Sequence, residues 1–319
     1  MRFVLSEDQR DFASSLDSLL ASSDPVSVAR AWADGDLAPG LKLWSRLAEQ
    51  GVNALVVPED FGGMGAGPVE LVLAFELLGK HVVPGPWVES AAYLPIALGH
   101  ANTLAALAEG AIGTVAAPPH VPYALDADVA DHVFLAAGGA LSAGTAGDLT
   151  RSVDGTRRLF PVSAASTVDS ADLDAGFDLA VLATAAQLLG LGERILADTV
   201  AYAKQRRQFG REIGSYQAIK HALADVRIAL DFARPLVHGA ALDPTSRDVS
   251  AAKVACADAA YLASRAGLQV HGAIGYTQEF DLSLWLTKVR ALVTAWGTPA
   301  FHRARVLHSL VEPVATVGS

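Results

Sequence analysis

Cysteine is nearly absent. The 319-residue chain has one, Cys256, which excludes an intrachain disulfide framework and any metal cluster built on cysteine. Its nine histidines form no His-x-x-x-His or Cys-His set of ligand spacing, so His81, His221, His271 and His302 read as surface or helix-packing residues. No Gly-x-Ser-x-Gly elbow occurs. The stretch "GLGERI" follows a helical pattern rather than a strand, so it is no dinucleotide fingerprint. Charged residues make up only 18% of the chain and aromatics 7%, against 51% hydrophobic. That is too apolar for disorder and suits one large domain or a few small ones. Positive charge is the scarcer sign, leaving a net charge of -10. The acidic balance argues against nucleic acid as the main partner and leaves room for one local anion site. Apolar stretches are interrupted by Gly, Pro, Asp or Lys before they reach bilayer length. The opening "MRFVLSEDQRDF" carries charge where a secretory apolar core would lie. The expectation is a cytoplasmic protein without a membrane span.

Alanine and leucine dominate what is there, which favours helix. Ser6 followed by Gln9 fits a capping box, and Phe12, Leu16, Leu19 and Leu20 recur at helical spacing. "PGLKLWSRLAEQG" predicts a second helix closing on Gly51. "VNALVVPEDFGGMGAG" reads as a short buried segment and a Gly-rich turn, and "PVELVLAFELLGK" as a helix. "VPGPWVES" reads as a break before helix resumes in "AAYLPIALGHANTLAALAEG". Residues 1–110 therefore read as an α domain. Between 111 and 176, short apolar runs punctuated by Pro, Gly, Asp and Ser predict a small β module. From Phe177 the helical period returns in long segments with short loops, which predicts a four-helix-type bundle over 177–319.

In this acidic chain "YAKQRRQFGREIG" concentrates Lys204, Arg206, Arg207 and Arg211, with Lys220 nearby. A solvated charge run, or cations complementing the end of a helix, is one reading. An anion site is the other, since a guanidinium offers paired donors that suit phosphate oxygens.

Four motifs, in order, resemble the acyl-CoA dehydrogenase family over nearly the whole chain. "VPEDFGGMG" (57–65) is similar to its Pro-Glu-acidic-aromatic-Gly-Gly-x-Gly segment. "YAKQRRQFG" is similar to Tyr-x-x-x-Arg-x-Gln-Phe-Gly, and "YQAIKHALADV" (216–226) to the helix that follows it. "QVHGAIGYTQEF" (269–280) is similar to Gln-x-x-Gly-Gly-x-Gly-Tyr-x-x-Glu-aromatic. The resemblance implies an N-terminal α domain, a β domain and a C-terminal helical bundle. It implies FAD as cofactor, with Arg206, Gln208, Phe209, Gln269 and Gly272 contacting the adenosine and pyrophosphate half of a neighbouring subunit's FAD. Gln217 is a weaker candidate. Phe209 also reads as plain core, and Gly272 as a helix C-cap.

Two departures bear on mechanism. The family removes an α proton with a carboxylate, commonly a Glu in Tyr-Glu-Gly-Thr. Counting forward from Gly275 without gaps, the matching segment is "AWGT", and Trp296 stands at the Glu position. An indole N–H donates but cannot accept a proton. The alternative position for the base falls near Ala180, with Asp178 and Glu193 as the nearby carboxylates. The second departure lies in 111–176, which lack the family's Thr-Glu-Pro-x-x-Gly-Ser-Asp and Trp-Ile-Thr/Ser segments. The Arg-Asp pair after the last motif is replaced by Thr287 and Lys288. The chain therefore resembles the short, base-lacking subunit of actinobacterial heteromeric (α2β2) steroid-degrading acyl-CoA dehydrogenases. That resemblance implies a longer homologue as partner, which would supply the catalytic Glu and most of the acyl-CoA site, and a separate electron-transfer acceptor. A self-sufficient dehydrogenase with a displaced base, and a non-enzymatic CoA-ester-binding or scaffold homologue, stay open as alternatives.

Overall fold

The computed structural model describes residues 4–277 and 280–311. Six helices come first: α1 (Glu7–Ala21), α2 (Pro25–Ala33), α3 (Ala38–Glu49), α4 (Pro68–Lys80), α5 (Leu94–Ala97) and α6 (Ala101–Ala108). The expected capping box is present. Ser6 Oγ accepts from the Gln9 N–H at 3.1 Å and Gln9 Oε1 accepts from the Ser6 N–H at 3.0 Å. The "VPGPWVES" break is shorter than the sequence suggests. Helix already resumes at Trp87 and widens into a π turn over Glu89–Tyr93 before α5. Pro95 brings no N–H to the ladder there, which is where a helix adapts by a local change of winding.

The middle of the chain folds as two small sheets. Strands β1 (Gly113–Ala116), β3 (His132–Ala137), β4 (Ala140–Ala146) and β7 (Val162–Val168) form one in the order β1-β3-β4-β7, with β1 and β3 parallel and the other pairs antiparallel. Strands β2 (Ala124–Leu125), β6 (Arg158–Phe160) and β5 (Thr150–Arg151) form the other. The remainder is helical, with a small hairpin: α7 (Leu173–Gln205), β8 (Arg207–Gln208), β9 (Arg211–Glu212), α8 (Gln217–Leu242), α9 (Ser246–His271), α10 (Leu282–Leu292) and α11 (Pro299–Val311). The expected fold class, α then small β then helical bundle, is the one observed.

Helix α7 runs through the centre of the core and touches both the first helices and the bundle. At 33 residues it is long and apolar enough to cross a membrane by length and composition, which corrects the reading that no stretch reaches that length. Its most apolar window is 89% buried inside the protein, so its apolar surface is spent on the core. It crosses α4 at backbone contact. A Cβ on Gly190 would lie 1.9 Å from the Glu76 carbonyl oxygen, and one on Gly79 would lie 2.2 Å from that of Gln187. Backbone cannot yield as a flexible side chain does, so this crossing requires glycine on both helices. Further bonds tie the layers. Trp285 Nε1 donates to the Lys80 carbonyl at 3.0 Å, and Trp32 Nε1 donates to Asp126 Oδ1 at 3.0 Å.

Gly190→Ala should therefore push α4 off α7 and destabilise the fold by about 1–3 kcal/mol or more, read as a lower urea midpoint. A midpoint equal to the unsubstituted protein's would contradict the close crossing.

Candidate functional site

The basic motif is not the end of a helix. Helix α7 stops at Gln205, so only Lys204 sits in its last turn, and dipole complementation covers that residue alone. The chain then turns into the β8–β9 hairpin, which pairs Arg207 with Glu212 and Gln208 with Arg211. Its turn residues, Phe209 and Gly210, both take positive φ, 52° and 84°. That is the geometry of a two-residue hairpin turn, routine for glycine and costly for a bulky aromatic. The Phe209 ring is 92% exposed. This corrects the reading of Phe209 as core.

The base of the hairpin is firmly held. The Ile213 N–H donates to the Arg206 carbonyl at 2.8 Å, Ile213 is buried, and the Arg211 guanidinium lies 3.9 Å from the centre of the Tyr216 ring. Tyr216 Oη donates to the Gln208 carbonyl at 3.3 Å. Its tip is uncommitted. Among the described residues, the Arg206 guanidinium and the Gln208 amide make no side-chain hydrogen bond. A fixed arm with free planar donors and an open aromatic face fits the adenosine and pyrophosphate half of a dinucleotide presented from outside the chain.

The other two candidates sit at the same end of the bundle. Tyr202, near the end of α7, stacks on His271, the last residue of α9, at 4.2 Å between ring centroids. Gln269 is exposed on that last turn. Gly272 caps α9 with φ 65° and ψ -141°, its N–H donating to the Leu268 carbonyl. A Cβ there would meet nothing, so the backbone conformation is what asks for glycine. Gln217 is exposed at the start of α8. The Gln278–Glu279 portion of the last motif lies outside the described residues.

The Glu position of the family tells a different story. Trp296 is 1% exposed and takes φ 55°. Its ring packs on Tyr93 at 5.1 Å and Phe177 at 5.9 Å, and Phe177 meets Phe301 edge-on at 6.2 Å. These residues come from the first helical segment, from α7 and from α11. The indole therefore fills the meeting point of the layers.

His302 fixes this loop. Its Nε2 lies 2.9 Å from the Trp296 carbonyl, which can only accept, so Nε2 carries the proton and Nδ1 accepts from Ser250 Oγ at 3.1 Å. Burial, helped by the nearby Lys253 charge, lowers the His302 pKa to about 4. Lys253 is itself buried, which lowers its pKa to about 7, and it donates to the Leu292 and Val293 carbonyls at 3.0 and 3.1 Å.

Both nearby carboxylates are engaged. Arg305 Nη2 donates to Asp178 Oδ1 at 2.6 Å, and Ser246 Oγ donates to Asp178 Oδ2. Glu193 accepts two bonds from Arg227, both at 2.7 Å, and one from Arg234 at 2.8 Å. Burial alone would raise the Glu193 carboxyl, but those guanidinium bonds prevail and hold it below the usual range. Ala180 is buried. One further carboxyl was not foreseen. Glu89 is 1% exposed, and burial raises it despite Arg157, the backbone and the Trp296 side chain. Its position inside the π turn left no periodic signal to find it by.

The His302 geometry sets a pH response. Acidification protonates the unfolded chain near pH 6.5 but the folded chain only near 4, so stability from this group is complete above the unfolded value and lost as pH falls through that window. The loss is on the order of 3 kcal/mol. His302→Gln should flatten this part of a stability–pH profile measured by urea unfolding, and a slope that survives unchanged would refute the assignment.

Comparison with known proteins agrees with the architecture. Residues 6–102 match the acyl-CoA dehydrogenase N-terminal domain and residues 173–311 match the acyl-CoA dehydrogenase C-terminal domain. The chain is 33% identical to acyl-CoA dehydrogenase IpdE2 of Mycolicibacterium smegmatis over 301 residues, covering 92% of this chain and 96% of that one. It is 34% identical to IpdE2 of Mycobacterium tuberculosis, covering 92% and 94%. Its fold is similar to a chain of the ChsE4-ChsE5 complex from Mycobacterium tuberculosis, with a TM-score of 0.84 at 22% identity, covering 99% and 100%. Butyryl-CoA dehydrogenase from Megasphaera elsdenii gives a TM-score of 0.81 at 20% identity, covering 98% and 100%. With two domain matches that together span most of its length and curated relatives aligned nearly end to end, this chain belongs to the acyl-CoA dehydrogenase family, whose members are FAD-dependent flavoproteins.

Proposed function

We propose that this chain is the non-catalytic subunit of a heteromeric acyl-CoA dehydrogenase, paired with a longer homologue in an α2β2 assembly. In this reading the complex removes two hydrogens across the α,β bond of an acyl-CoA thioester. The α proton would pass to a carboxylate of the longer chain, and bound FAD would supply the acceptor for the hydride leaving the β carbon. The C-terminal residues 177–319 carry the nucleotide arm and the oligomerising surface. Arg206 and Gln208 donate to the pyrophosphate and ribose of the partner's FAD. Phe209 gives its adenosine an apolar wall, and Gln269 and Gly272 let that nucleotide approach the end of α9.

The observation that carries the reading is Phe209: an aromatic ring held on a left-handed turn, almost wholly exposed, with nothing among the described residues to cover it. Trp296 supports the complementary half, because a buried indole cannot take up the α proton. A stripe on α8 supports a large partner surface: Ile228, Phe232 and Leu236 recur every four residues and are 53%, 73% and 45% exposed. The IpdE2 relatives and the ChsE4-ChsE5 neighbour favour a steroid-derived acyl group. A cytoplasmic site of action accords with this reading. The electron acceptor would be a separate protein.

Co-expression with a longer homologue should yield a copurifying complex with one FAD per pair of unlike chains and dehydrogenase activity on an acyl-CoA. Arg206→Ala should keep the complex but lower its flavin content severalfold, since a charged hydrogen bond to phosphate is worth about 1.5–3 kcal/mol. Full flavin in that variant, or activity from this chain alone, would overturn the proposal. A flavin-free native complex would point instead to a scaffold. Phe232→Asp, placed in the α8 stripe away from the nucleotide arm, should abolish copurification of the longer chain, and an intact complex would remove α8 from the interface.

A further inference from the structure

Where α7 ends and α8 begins, beside the base of the hairpin, the surface folds into a groove that the proposed function does not use. It has a volume of about 230 Å³, or about 490 Å³ counting its open mouth. That straddles the lower end of the range for small-molecule sites, about 300–1,000 Å³. Val200 and Ala203 of α7 and Ile219 and Leu223 of α8 give it aliphatic walls, and Gly214 closes it without a side chain. Two cations complete the lining: Lys204 from the last turn of α7 and Lys220 from the opening turn of α8.

The charge of this lining is one-sided. No carboxylate lines the groove. Both lysines are exposed, and among the described residues neither makes an ion pair or a hydrogen bond. The chain holds 34 Asp and Glu against 24 Lys and Arg, and other surface cations such as Lys80, Arg247 and Arg303 each pair with an acid. Lys204 and Lys220 stand together without one. Lys220 also lies at the positive end of the α8 dipole, where the helix has neither a capping side chain nor an acid in its first turn. A negative group at the mouth would relieve both. The same lining disfavours a polypeptide as occupant. A backbone laid along it would carry its N–H groups past aliphatic walls with no side chain to accept from them. A hydrocarbon chain asks for no such partner, and lysine stems add to its apolar contact while their heads stay in water.

We infer that this groove binds a medium-length aliphatic carboxylate. Its chain lies along Val200, Ala203, Ile219 and Leu223, and Lys204 and Lys220 hold its carboxylate. Every group in the site belongs to this chain and none is a residue assigned to the nucleotide, so the inference stands or falls apart from the flavin and the longer subunit.

The test is isothermal titration calorimetry of the full chain with sodium octanoate, sodium hexanoate and octanol, each below its aggregation limit. Octanoate should bind at one saturable site, about tenfold tighter than hexanoate for the two methylenes it adds. It should also bind at least about threefold tighter than uncharged octanol. The double substitution Lys204→Gln with Lys220→Gln, confined to exposed side chains, should bring octanoate down to the affinity of octanol. Leu223→Trp, which fills the groove from its wall, should abolish binding of both. Absence of saturable binding would overturn the inference, as would octanoate affinity unchanged in the lysine variant, or equal affinities for octanoate and octanol. Octanoate binding that disappears in the complex with a longer homologue, together with a Leu223→Trp chain that no longer copurifies that homologue, would assign the groove to polypeptide and overturn it as well.

Discussion

The indole of Trp296 and the carbonyl bond that holds it from His302 set the character of this molecule. The residue sits on a left-handed backbone, which costs free energy, and the bond at 2.9 Å from a buried, neutral imidazole keeps it there. Tyr93 and Phe177 close round it. An aromatic side chain of this size at the junction of three layers is worth about 3–5 kcal/mol to the fold. In the proposed function it also stands in place of a base.

Opposite choices are made inside and outside. The interior spends its aromatics on packing, and the surface leaves Phe209 stranded. Phe209 is held out on a hairpin whose base is anchored by Ile213 and Tyr216, while Arg206 and Gln208 beside it stay uncommitted. A chain folding only for its own sake gains nothing from an exposed aromatic on a strained turn. The arrangement becomes economical when the arm closes on a ligand that another chain carries, which is the division of labour the proposed function describes.

Much of this was legible in the sequence, and the exceptions have physical reasons. The capping box, the order of α and β regions and the long helices are written in local periodicity and turn chemistry, which act over a few residues. The β8–β9 hairpin was not legible, because two residues per strand leave no alternation to read. The π turn at Glu89–Tyr93 breaks the 3.6-residue period, so its first two residues, Glu89 and Ser90, read as part of a break. The membrane-length character of α7 was missed because Gly190 and Gly192 read as interruptions, when in three dimensions glycine is what lets α4 and α7 touch. The motif candidates were found by resemblance. Whether they are buried or open, paired or free, depends on tertiary contacts that no spacing encodes.

The fate of the remaining carboxylates explains why a displaced base is hard to build on this scaffold. A general base must hold its charge without surrendering its lone pairs to permanent donors, and must lie where a substrate can reach it. Asp178 and Glu193 give their lone pairs to fixed donors, Arg305 to the first and Arg227 with Arg234 to the second. Taking those arginines away would not free a base. It would leave a carboxylate in an apolar interior, where desolvation favours its protonated form. Glu89 illustrates that end of the trade: without a guanidinium bonded to it, burial pushes its pKa up, and at 1% exposed it lies where no substrate reaches it. Asp178 and Glu193 are thus locked by arginines, and Glu89 is sealed in the core. Under the proposed function, giving this chain a base of its own at that position would require clearing Trp296 and placing a carboxylate in the space it leaves, in one coordinated change.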